Sequence, residues 1–96
     1  MTAGAAERPR RRLRIVNRKG LHARASARFV ETVERFDADA TVSREGLRVN
    51  GGSIMGLLML AAAQGAEIEV ETRGPAAGAL MDALAALVAA RFGEED

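Results

Sequence analysis

The sequence predicts an α+β fold: an open-faced β-sandwich in which a four-stranded antiparallel sheet carries three helices on one face, in the order β-α-β-β-α-β-α. Three observations lead there. Glu67-Ile68-Glu69-Val70-Glu71 alternates charge and hydrocarbon with period two, as a strand does when one face is buried and the other wet. Phe29, Val33 and Phe36 recur at helical spacing, with Val30 alongside. Strand-like and helix-like runs then interleave along the chain without an internal repeat.

Each element has a local cause. Leu13-Arg14-Ile15-Val16 alternates at its start and reads as strand 1, with Leu13 and Ile15 inward. Arg18-Lys19-Gly20 is a turn, and a helix follows from about Ala23 to Phe36. Ala40-Thr41-Val42-Ser43 and Leu47-Arg48-Val49 flank Arg44-Glu45-Gly46 and predict a hairpin. Asn50-Gly51-Gly52 breaks the pattern, and Ser53 is a natural N-cap for a short helix running to Leu60 or slightly beyond. In that helix Leu57 and Leu60 are expected to face the sheet. Gly65 ends the region. Gly74-Pro75 opens the last helix, with proline at the first position, where no N–H is needed. Leu80, Leu84, Leu87 and Val88 form its core stripe, and Gly93 closes it. The strands are expected in the order 1-4-2-3. Residues 12–93 form the domain, preceded by a flexible arginine-rich arm at 1–11 and followed by an acidic tail at 94–96.

Composition narrows the function. Ninety-six residues suffice for one small domain. With no cysteine and a single histidine, disulfides and thiolate metal sites are excluded, and neither a metal nor a cofactor is expected. No apolar run approaches the roughly 20 residues of a membrane span. No hydrophobic segment follows the basic start, so it is not a secretory signal, and a cytoplasmic address is the expectation. The net charge of +1 hides an asymmetry, because five of the fourteen basic residues fall within residues 1–14. That arm reads as solvated. The body has no tyrosine, no tryptophan and no basic stripe, which argues against a nucleic-acid binder.

The chemistry-bearing segment is Gly20-Leu21-His22-Ala23-Arg24. A lone histidine is most often structural, but here its neighbours point elsewhere. Gly20 permits a tight turn, Leu21 can anchor the loop, and His22 falls at or next to the N-cap. Imidazole changes charge near neutral pH, so it can be a neutral nucleophile without special activation. The first amides of a helix have no internal partner and point at any anion placed there. Arg24 in the first turn is unfavourable for the helix dipole unless an anion visits. No carboxylate lies near His22 in sequence, which favours a phosphate-sized ligand over proton abstraction. Ser53 reads as an N-cap, though Gly51-Gly52 before it could form a backbone concavity for phosphate. Ile54, Met55, Leu58 and Met59 cannot all be buried by so short a helix, and exposed methionines suit the binding of several partners.

Gly20-Leu21-His22-Ala23-Arg24, followed by Gly52-Ser53-Ile54-Met55-Gly56-Leu57, resembles the HPr family of histidine-containing phosphocarriers of the bacterial sugar phosphotransferase system and its nitrogen-related branch. His22 and Ser53 stand thirty-one positions apart, as that family has them, and the resemblance extends from about Leu13 to Phe92. It implies that His22 accepts a phosphoryl group on Nδ1 from enzyme I and passes it to a IIA-type protein. It further implies that Arg24 steadies the phosphoryl oxygens and that Ser53 is the regulatory serine of an HPr kinase. Ala23, Ala27, Ile54, Met55, Leu58 and Met59 then match the partner-docking surface of a monomeric carrier that is not itself a turnover enzyme. The chain departs from the family at Ala25, where proline is usual, and at Gly52, where many relatives have lysine. The alternative is an HPr-like interaction module that binds a regulator through Ile54–Met59 without phosphotransfer.

Overall fold

The computed structural model of the chain describes residues 9–95. Its elements are β1 (Arg10–Arg14), α1 (Ala23–Glu34), β2 (Asp39–Arg44), β3 (Leu47–Asn50), α2 (Ile54–Met59), β4 (Glu67–Arg73) and α3 (Ala77–Ala89), then one 3-10 turn at Arg91–Gly93. The strands form a single antiparallel sheet in the order β1-β4-β2-β3. Leu13, Val42, Ile68 and Val70 line its inner face. Phe29 and Val33 of α1, Leu57 of α2, and Leu80, Leu84 and Val88 of α3 close one continuous core over it. The predicted α+β architecture and strand order are therefore present. No helix among the described residues is long and apolar enough to cross a membrane.

β1 starts earlier than the alternation of Leu13 and Ile15 indicates. Its arginines meet the outward glutamates of β4: Arg10 lies 3.7 Å from Glu71, and Arg12 and Arg14 lie 3.9 and 3.7 Å from Glu67. Exposed pairs of this kind contribute little singly, but opposite charges across a strand pair favour one register. Pro9 extends the contact by accepting the Thr72 N–H at 2.9 Å. Arg10 and Arg11 thus belong to the sheet rather than to an arm; residues 1–8 of the expected arm lie outside the described residues. Ile15, past the strand, is nonetheless fully buried and exchanges backbone hydrogen bonds with Gly65 and Ala66.

Two helix boundaries also differ from expectation. α1 ends at Glu34 because its last turn tightens: the N–H groups of Arg35 and Phe36 turn back to Thr32 and Val33. Phe36 remains half-buried against the core. Pro75 precedes α3 instead of opening it. Gly74 takes φ +115, and the Ala76 N–H is drawn to the carbonyl of Asp37 at 3.0 Å, which delays the first helical residue to Ala77. Leu80, Leu84 and Val88 are buried as the stripe requires, whereas Leu87 is half-buried and Met81 takes the inner place.

Phe92, just beyond α3, is fully buried. Truncating it leaves a cavity that the surrounding side chains fill only in part. Phe92→Ala should therefore cost about 3–5 kcal/mol, read as a lower urea midpoint at unchanged m-value.

Candidate functional site

Three segments converge on His22: the loop between β1 and α1, the loop after α2, and the turn after α3. The first two meet where there is no room for a side chain. Gly20 adopts φ +70, and a Cβ there would lie 2.6 Å from the carbonyl oxygen of Ala62. The next residue, Leu21, donates its N–H to that same oxygen at 2.9 Å and buries its side chain. His22 then leaves the loop in extended backbone as the N-cap of α1.

The ring is held at both nitrogens. Nδ1 accepts the Arg24 N–H at 3.3 Å, a long and weak cap. Nε2 contacts the carboxylate of Glu94. A carboxylate accepts and a backbone N–H donates, so the two contacts agree on one neutral tautomer. The proton is on Nε2 and the lone pair is on Nδ1, aimed at the N-terminus of α1. The imidazole is about a quarter exposed, with 28% of the side chain open to solvent. Arg24 is exposed, and no partner for its guanidinium occurs among the described residues. Ala25, where proline is usual in the resembling family, is fully buried inside an intact first turn.

Glu94 falls in the acidic tail that the sequence predicts, but its side chain is a member of this cluster. Its second oxygen accepts from Asn17 Nδ2 at 3.0 Å, and the same amide donates to the carbonyl of Gly20 at 2.8 Å. Both neighbours of that amide are pure acceptors, which fixes its orientation and leaves the buried Asn17 Oδ1 without a partner among the described residues. Burial disfavours a charged Glu94. The hydrogen bonds from His22 and Asn17, with the charge His22 carries when protonated and that of Lys19, outweigh that effect and lower its pKa below the ordinary value. Sequence reasoning missed both residues. Asn17 offered only a polar side chain at the exit of a strand, and Glu94 is seventy-two positions from His22.

The remaining sequence-identified residues lie on and around α2. Ser53 caps that helix, its Oγ accepting the Gly56 N–H at 3.0 Å. Leu57 and Leu60 face the core, while Met55 (70%) and Met59 (65%) are well exposed and Ile54 is partly so. Leu58 is half-buried. On α1, which packs against α2, Ala23 is exposed and Ala27 half-buried. Ser53 and His22 share no hydrogen bond; the helices they cap pack together.

A family model described as "PTS HPr component phosphorylation site" matches residues 9–90. The chain belongs to the HPr family. A phosphocarrier protein HPr of Neisseria meningitidis serogroup B is 49% identical over 82 residues, covering 85% of this chain and 92% of its own. A phosphocarrier protein NPr of Shewanella violacea is 38% identical over 84 residues, covering 88% and 92%. Among solved structures, HPr-C-His of Thermoanaerobacter tengcongensis superposes with a TM-score of 0.87 at 34% identity, over 92% of this chain and 99% of that one. HPr of Bacillus anthracis gives 0.80 at 38% identity, over 84% and 96%. HPr relatives are phosphocarriers of the phosphotransferase system rather than turnover enzymes.

The Glu94 contact has a consequence for this HPr-family fold that acid unfolding will read. A carboxylate with a lowered folded pKa stabilises fully above its unfolded value and loses that contribution as pH falls through the folded one. The stability difference between the wild type and Glu94→Gln should therefore be present at neutral pH and close in the acid range, measured by urea unfolding at a series of pH values.

Proposed function

We propose that the chain is a phosphoryl carrier in which His22 Nδ1 accepts the group from phosphorylated enzyme I and gives it to a IIA-type protein. The observation that carries this reading is the Nδ1 lone pair, directed at the first amides of α1 beside Arg24, whose guanidinium has no partner among the described residues. A nucleophile for phosphorus needs an available lone pair, a place for three developing oxygens, and access for two large partners in turn. The weak cap on Nδ1 is released at small cost, and the freed amide becomes a donor to a phosphoryl oxygen. Arg24 supplies the compensating charge.

Ala23, Ala27, Ile54, Met55, Leu58 and Met59 form the surface on which partners of this monomeric, cytoplasmic carrier dock, since α1 and α2 present them side by side. Ser53 stands at its border. Phosphate on Ser53, added by an HPr kinase, brings roughly −1.5 to −2 charge to that apolar surface and opposes docking without refolding.

Enzyme I and phosphoenolpyruvate should give the wild-type chain an acid-labile, alkali-stable phosphate that His22→Ala lacks; persistent labelling of that variant sinks the assignment. Arg24→Ala should slow transfer roughly tenfold to a hundredfold, the equivalent of one charge-assisted contact of about 1.5–3 kcal/mol, with unfolding little changed. Ser53→Asp should raise the concentration of carrier needed for half-maximal transfer while His22 remains competent, a split that steady-state kinetics resolves.

A further inference from the structure

The turn after α3 is strained in a way the fold alone does not require. Arg91, Phe92 and Gly93 follow one another in left-handed backbone, at φ 60, 55 and 81. Residues with side chains resist that conformation, and two in succession persist only where their surroundings impose it. Phe92 is the buried anchor, and the product of the turn is the placement of one carboxylate. Glu94 lies beyond residue 90, where the family match stops. A tether for the chain could have used any surface donor. This one takes the far nitrogen of the ring whose near nitrogen faces α1, and a buried amide braces it from behind.

We propose that Glu94, braced by Asn17, is a positioning residue for phosphoryl transfer: it keeps the ring proton on Nε2, so that the lone pair stands on Nδ1, and compensates the charge the ring gains on phosphorylation. The inference rests on His22 being the phosphoryl acceptor. In the accepting step the Nδ1 lone pair forms the N–P bond while the bond from phosphorus to the donor breaks, its electron pair leaving with the donor. The ring keeps its Nε2 proton and becomes cationic, with the Glu94 carboxylate against that proton. In the giving step the acceptor's nucleophile bonds to phosphorus, the N–P pair returns to Nδ1, and the ring is neutral again. The Nε2 proton moves in neither step. A carboxylate behind an imidazole performs the same two tasks, tautomer selection and charge compensation, in hydrolytic triads.

The test compares the full wild-type chain with Glu94→Ala and Glu94→Gln. Long-range 15N–1H spectra of the His22 ring read the neutral tautomer directly, which a merely structural tether would leave unchanged. Glu94→Ala should populate both tautomers. Glu94→Gln, which retains an acceptor oxygen without charge, should keep the Nε2–H form. Phosphorylation by enzyme I, with phosphoenolpyruvate in excess, should show the maximal transfer rate falling about tenfold or more in both variants, as expected for loss of one charged contact. The half-saturating carrier concentration should move less than twofold. A single Nε2–H tautomer in Glu94→Ala, or a maximal rate within twofold of wild type in both variants, overturns the inference. A wild-type chain that takes no phosphate overturns the carrier reading and this role with it. Normal labelling of the wild type beside unchanged variants overturns the Glu94 role alone.

Discussion

β4 is hydrogen-bonded along both edges, to β1 and to β2, and its two faces meet opposite demands. Ile68 and Val70 point into the core and are fully buried; Glu67, Glu69 and Glu71 point out. Burial of the inner pair in one direction fixes which way every other residue of the strand must face. The outward glutamates then determine what β1 can be, and a strand carrying arginines at alternate positions fits them. Glu71 is also reached from β3, by Arg48 at 3.3 Å. Both ends of β4 govern the functional region. Ala66, just before it, holds Ile15 at the start of the histidine loop. Thr72 is buried and donates from Oγ1 to the carbonyl of Ala77 at 2.8 Å, setting where α3 begins and so where it delivers Glu94.

His22 answers two requirements that usually compete. As an N-cap it must accept a backbone N–H, and in the proposed carrier role it must offer the same lone pair to an electrophile. At 3.3 Å the cap is too long to contribute much, so its loss takes little from the helix. The more demanding term is orientation. An imidazole held at Nδ1 alone could rotate or change tautomer, whereas the carboxylate at Nε2 constrains both.

What was legible in the sequence was whatever rests on near neighbours. Period-two alternation marks β4, helical spacing marks the face of α1 that includes Phe29 and Val33, and Ser53 is the N-cap its chemistry suggests. The start of β1 was hidden because Arg10-Arg11-Arg12 resembles a solvated run until the glutamates of β4 lie beside it. The Asn17–Glu94–His22 cluster was hidden for a sharper reason. Its members come from opposite ends of the chain, and the turn that joins them places Arg91 and Phe92 in a conformation no propensity favours. A carboxylate absent from the neighbourhood in sequence was present in space.

The strand order also dictates when the molecule can become itself. Only the β2–β3 hairpin closes a short loop; β1 and β2 share no hydrogen bonds and must wait for β4 to come between them. Pairing β1 with β4 draws together segments more than fifty residues apart, so loop-closure entropy opposes it until helix packing compensates, and folding is slowed accordingly. The contact between Glu94 and His22 requires α3 to be docked and the chain to have turned back after it. The orientation of the His22 ring therefore depends on segments from both ends of the chain. A chain in which α3 has not docked carries the same histidine but lacks the carboxylate that braces its ring.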